Sequence, residues 1–136
     1  MDNLYRDFIL EHYRNPHNHG VLDPHDLHAA DSNPTCGDEL SMTLRVDDGR
    51  QHITDVAFEG RGCAISQASA SILTDTLVGL SLNEVRAISP QSVLDELGVP
   101  IGPARLKCAL LGYKVLQGAV SGATVAWPAE AEASFG

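Results

Sequence analysis

No run of apolar residues in this sequence approaches the roughly 20 needed to cross a bilayer as a helix, and no internal repeat is present. Positive charge is also in short supply. Lys and Arg number 9 against 18 Asp and Glu, for a formal net charge of −9. Phosphate contacts need clustered cations, so neither nucleic acid nor an anionic membrane is expected as a partner. A basic patch on another protein would suit this chain better. The opening Met1-Asp2-Asn3-Leu4-Tyr5-Arg6-Asp7 has no basic region followed by an apolar run. A secretory leader is therefore not expected, and a cytoplasmic protein is. Cysteine is scarce as well. Its count is 3, an odd number that reads as metal binding or thiol chemistry rather than as a disulfide framework.

What is present organises itself around those three cysteines. Cys36 stands in Pro34-Thr35-Cys36-Gly37-Asp38, Cys63 in Arg61-Gly62-Cys63-Ala64, and Cys108 in Arg105-Leu106-Lys107-Cys108. Cys36 and Asp38 flank a glycine, which lets the backbone bend sharply enough to aim both side chains at one point. Cys63 opens a helix, where the partial positive charge of the N-terminus favours thiolate. Arg61 and Lys107 each lie within two residues of a cysteine and are candidates to stabilise a thiolate or persulfide by charge. Three thiolates and a carboxylate form a ligand set suited to tetrahedral zinc or to iron bound through sulfur. Each piece also has a plainer reading: a tight turn with a surface aspartate, small buried cysteines, solvated cations.

At 136 residues the chain is expected to be mainly one domain, long enough to bury a core without staples. Leu4, Phe8, His12 and Tyr5, Ile9, Tyr13 step at helical spacing, predicting an amphipathic helix over 3–14 that Asn15-Pro16 stops. Residues 15–34 read as a long loop, broken by a short strand near Leu27–Asp31. Five of the histidines, His12, His17, His19, His25 and His28, fall in or beside it. They are expected to be solvated or capping, because a loop gives no fixed scaffold for a histidine metal site. Leu40, Met42, Leu44 and Val46 alternate with polar residues, and His52, Thr54, Val56 and Phe58 alternate with Ile53, Asp55 and Ala57. Two antiparallel strands follow, joined at Asp47-Asp48-Gly49-Arg50 with Gly49 supplying a positive φ. A helix is expected over 64–79 with a small-residue surface at Ser66, Ser69 and Ser71. A capping box at Ser81…Glu84 starts another. Ser89-Pro90 begins a short one that closes at Gly98. The last long helix covers roughly 103–118, with Ala104, Cys108, Leu111 and Val115 on one face. The domain is expected to span 1–120, with a loosely ordered tail over 121–136 that holds the single Trp127.

These residues together resemble the U-type iron–sulfur cluster assembly proteins, the group that includes IscU, SufU and the N-terminal domain of NifU. The likeness runs from about Leu4 to Val120. Tyr5 to Pro16 is similar to the opening helix, and Asn33 to Asp38, Gly60 to Ser66 and Pro103 to Cys108 are similar to the three ligand motifs in order. The resemblance implies an α+β fold, a small three-stranded antiparallel sheet with helices packed on one side. It implies that Cys36, Asp38, Cys63 and Cys108 bind zinc, iron or a transient [2Fe–2S] cluster. It also implies a cysteine desulfurase that delivers persulfide sulfur, with Cys36 as acceptor, and apo-proteins as recipients. Lys107 stands where the IscU form has histidine, which points to the SufU form. The short stretch from Cys63 to Cys108 is IscU-like, and the Leu-Pro-Pro-Val-Lys motif of IscU is not intact at Gly102 to Lys107. Two other classes stay open: a thiol enzyme with Cys63 as nucleophile and His52 as base, and an interaction domain with a structural zinc.

Overall fold

The computed structural model describes residues 3–35 and 37–132. Helix α1 (Asn3–Arg14) is followed by three strands, β1 (Leu27–Asn33), β2 (Asp38–Val46) and β3 (Ile53–Arg61). Then come α2 (Ala64–Thr74), α3 (Leu82–Arg86), α4 (Pro90–Leu97), a 3-10 turn (Pro103–Arg105), α5 (Leu106–Ser121) and the single turn α6 (Ala129–Glu132). The strands form one antiparallel sheet in the order β1-β2-β3. Helices α2 and α5 lie against that sheet, and α1 and α4 pack on them. This is the α+β arrangement with helices on one side.

Alternation explains β2. Leu40, Met42 and Leu44 are almost fully buried and meet Phe58 and Val56 of β3 together with Leu110, Leu111 and Val115 of α5. Burying such side chains contributes roughly 1.5–3 kcal/mol each. In β3 the alternation is broken. Ile53 is buried while His52 and Thr54 are exposed, and a register shift between Arg45 and Val46 moves the row. The positive φ of the connecting turn falls on Arg50, at 55°, and not on Gly49. Asp47 holds that turn instead: its carbonyl accepts Arg50 N–H and its Oδ1 accepts Gln51 N–H, both at 2.8 Å. The free edge of β3 is closed by the loop after α1. Phe58 N–H donates to Asn18 O and Gly20 N–H to Phe58 O, which removes an edge that could recruit another strand.

The helix starts behave as expected. Ser81 and Glu84 form a reciprocal capping box, Ser89 caps α4 with Pro90 in its first turn, and Gly98 ends it at φ 71°. Two helices differ in extent from expectation. α2 ends at Thr74, and turns carry the chain on to Gly79. Residues 103–105 form a 3-10 turn, which leaves Ala104 exposed while Cys108, Leu111 and Val115 are buried. The small residues of α2 do admit a close neighbour. Ser69 Oγ donates to Ala109 O at 2.7 Å, and a Cβ at Gly112 would stand 3.3 Å from Ala70.

One of the histidines expected to be solvated or capping is buried, and so is a lysine. His12 is only 5% exposed, and its Nδ1 lies 2.7 Å from Ser71 Oγ. Burial first, then neighbouring His17, hold its pKa below the ordinary histidine value, against smaller opposing effects of Asp75 and Glu11. Lys114, on the core-facing helix α5, pairs with Asp31 of β1. Burial pushes the Asp31 carboxyl up, but the Lys114 hydrogen bond and charge and the Ser32 amide outweigh it, so its pKa lies below the usual value. Of the segment expected as a tail, residues 121–132 are described. Trp127 packs against the core and Ala131 is fully buried.

Candidate metal centre

Three segments meet at one end of the sheet. β2 begins at Asp38, β3 ends at Arg61 and leads through Gly62 to Cys63 at the cap of α2, and α5 carries Cys108 in its first turn. One carboxylate oxygen of Asp38 and the sulfurs of Cys63 and Cys108 all lie within 4.8 Å of one another. Asp38 is fully buried, Cys108 is 4% exposed and Cys63 is half-buried. Cys36 lies outside the described residues, while its neighbours Thr35 and Gly37 form part of the turn between β1 and β2. Asn33 shapes that turn: its carbonyl accepts Gly37 N–H at 2.9 Å and its Oδ1 accepts Thr35 N–H at 3.3 Å.

Asp38 does two things at once. Its Oδ1 accepts the Cys63 backbone N–H at 2.9 Å, and its Oδ2 lies 3.9 Å from Cys63 Sγ. The first contact satisfies the backbone N–H of the residue that caps α2. The close approach depends on Gly62. Its φ is 151°, and a Cβ there would fall 2.1 Å from Asp38 Oδ1. Gly60 has a matching role against β2, where a Cβ would stand 2.3 Å from the carbonyl oxygen of Glu39. The Gly-Arg-Gly pattern was visible in the sequence, but the need for Gly62 to leave room for the Asp38 carboxylate was not.

The flanking cations are placed differently from each other. Arg61 is exposed and donates from Nε to Glu39 Oε2 at 2.9 Å, across the β2–β3 pair. Lys107 holds its Nζ 5.4 Å from the centroid of the Trp127 ring, beside Cys108. His52 sits at the opposite end of β3, with Nδ1 3.2 Å from Asp47 Oδ2. A nine-residue strand separates it from Cys63, on the order of 30 Å. The pairing of a Cys63 nucleophile with a His52 base is thereby ruled out.

Two thiols and a buried carboxylate at these separations fit a thiophilic ion. Zinc binds cysteine sulfur at about 2.3 Å and carboxylate oxygen at about 2.0–2.2 Å, so ligand atoms within 4.8 Å of one another are close enough to share one ion. Oxygen-seeking ions such as calcium or magnesium do not match the sulfurs. Among the described residues, no helix is long and apolar enough to cross a membrane.

Comparison with known proteins adds the following. A family model described as the NifU-like N terminal domain matches residues 4–124. The chain is 36% identical to the zinc-dependent sulfurtransferase SufU of Bacillus subtilis strain 168, over 89% of this chain and 92% of that protein. It is 35% identical to the iron–sulfur cluster assembly scaffold protein IscU of Streptococcus pyogenes serotype M1, over 88% of this chain and 84% of the relative. A crystal structure from Fervidobacterium islandicum AW-1, described as a candidate cluster assembly scaffold for the SUF system, superposes with a TM-score of 0.71 at 28% identity. That match covers 84% of this chain and 94% of the other.

Proposed function

Since the chain belongs to the NifU-like N-terminal domain family, we propose that it is an iron–sulfur cluster assembly protein of the cytoplasm. It accepts persulfide sulfur from a cysteine desulfurase and holds zinc or a nascent [2Fe–2S] cluster for transfer to apo-proteins. The observation that carries this reading is the convergence of Asp38, Cys63 and Cys108 from three separate segments, with ligand atoms within 4.8 Å.

Cys36, Asp38, Cys63 and Cys108 would hold the ion. When bound, it would supply positive charge that keeps the cysteines as thiolates. The remaining chemistry belongs to the chain. Cys108 is buried and Cys63 half-buried, and the buried Asp38 fixes Cys63 through its backbone N–H. Cys36 is the residue assigned to attack. Its thiolate takes the terminal sulfur of the desulfurase persulfide. A new S–S bond forms at Cys36, the old one breaks, and the desulfurase cysteine leaves as a thiolate. The proton on the transferred sulfur travels with it. Lys107 stands beside Cys108 as a local positive charge, and the exposed Arg61–Glu39 pair borders the same end of the sheet.

The test is to mix the purified chain with a desulfurase, cysteine and ferrous iron. A visible-absorbing cluster that stays on the chain marks a scaffold. Faster desulfurase turnover with zinc retained marks a sulfur acceptor. Neither response, or full metal binding by the triple Cys36→Ser, Cys63→Ser, Cys108→Ser variant, would refute the reading. Asp38→Asn keeps an acceptor for the Cys63 amide but removes the charge, and it should weaken metal retention at least tenfold.

A further inference from the structure

The far end of α2 carries a second set of donors. His12 of α1, His17 in the loop after it, and Asp75 just past α2 each offer a ligand atom, and these atoms lie within 4.8 Å of one another. We propose that they form a separate site for a divalent ion of the zinc class, independent of the cysteine centre.

The scaffold is firmer than a loop histidine cluster ordinarily has. Ser71 Oγ lies 2.7 Å from His12 Nδ1 and also accepts the His17 backbone N–H at 2.8 Å. Asn18 Nδ2 donates to Thr74 Oγ1 and to Asp75 Oδ1, each at 3.0 Å. Phe8 meets the His12 ring edge-on, at 4.7 Å between centroids, and the His17 ring lies 4.4 Å from that of His12. One hydroxyl and one amide thus tie all three donors to the end of α2.

Two imidazoles and a carboxylate match zinc, cobalt or nickel, and not the oxygen-seeking ions. His17 and Asp75 keep 51% and 42% of their side-chain surface exposed, so an ion can enter and water can complete its shell. At present His17 Nδ1 and Asp75 Oδ2 face each other at 2.6 Å. Ligands of a tetrahedral zinc stand about 3.4 Å apart. The ion would take the place of this hydrogen bond after a small rotation of two exposed side chains. The 11 residues of α2 separate the cluster from Cys63 by about 16 Å, too far to share one ion.

Cobalt(II) titration of the full chain tests the site, with bound metal counted per chain and the absorption spectrum followed. The wild type should take two equivalents, the second without thiolate-to-cobalt charge-transfer absorption. His17→Ala and Asp75→Asn should each weaken the second equivalent at least tenfold and leave the thiolate-bound one unchanged. Because His17 and Asp75 are exposed, both variants should fold, which thermal unfolding verifies. His25→Ala, in the separate His25–His28 ring pair, should change nothing. A single equivalent in the wild type, or a second one indifferent to His17→Ala and Asp75→Asn, would overturn the proposal.

Discussion

The two ends of α2 carry donor groups of opposite construction. At its start, Asp38, Cys63 and Cys108 are drawn from β2, the helix cap and α5, and Asp38 is sealed from solvent. At its other end, His12 is buried but His17 and Asp75 face water. The first site holds sulfur in a shielded place that glycines keep clear. The second holds nitrogen and oxygen at the surface, tied by Ser71 and Asn18. Close packing therefore frames the sulfur-containing set, while hydrogen bonds to Ser71 and Asn18 frame the histidine set. Substitutions at the first end should disturb structure and metal together, and those at the exposed His17 and Asp75 of the second should separate the two.

The largest effect is expected at Gly62. Gly62→Ala puts a Cβ 2.1 Å from Asp38 Oδ1 in backbone that resists a side chain. It should cost roughly 3 kcal/mol and lose metal as well, as denaturant unfolding and zinc content will show. A stable Gly62→Ala protein with full zinc would erase the contrast. Next comes His12→Ala, which leaves Ser71 without its ring partner and opens a small void. A loss of about 2 kcal/mol is expected, read by urea unfolding of the metal-free protein. His17→Ala should cost under about 1 kcal/mol in the same assay, because its contact with Asp75 is exposed. Equal losses for the two histidines would show that burial does not separate them.

The smallest effect concerns acid. Burial pushes the Asp31 carboxyl up, but Lys114 and the Ser32 amide together outweigh it and hold its pKa down in the fold. Its contribution is present above the ordinary aspartate range near pH 4 and is lost as pH falls through the depressed folded value. The stability of the wild type should therefore fall more steeply than that of Asp31→Asn below about pH 4. Since Asp31 is partly open to solvent, the difference should be about 1 kcal/mol or less. Urea midpoints across the acid range measure it.

Local signals were readable where local physics decides. Ser81 with Glu84, Ser89 with Pro90, and Gly98 are helix boundaries that concern neighbours three or four residues apart, and each stands where the sequence put it. β1 was only partly visible, as a short strand. Its inward row is Leu27, Ala29 and Asp31, too weak an apolar pattern to mark a strand that runs to Asn33. His12 and Lys114 were hidden for another reason. Their partners, Ser71 and Asp31, lie 59 and 83 residues away, and no window along the chain contains both members. The bulge after Arg45 has the same character, since it turns Ile53 inward from a position that alternation alone would assign to the other face. At the candidate site the meeting of Asp38, Cys63 and Cys108 followed from the motifs. The demand that Gly62 lack a side chain became visible only with Asp38 beside it.

The chain has one tryptophan, and it sits with its ring 5.4 Å from Lys107 Nζ and 5.3 Å from Lys114 Nζ. Lys107 adjoins Cys108, and Lys114 holds β1 through Asp31. The protein therefore carries its own fluorophore within reach of both arrangements. Its emission colour and quenching give a label-free signal from that corner of the molecule, free of overlap from any other indole.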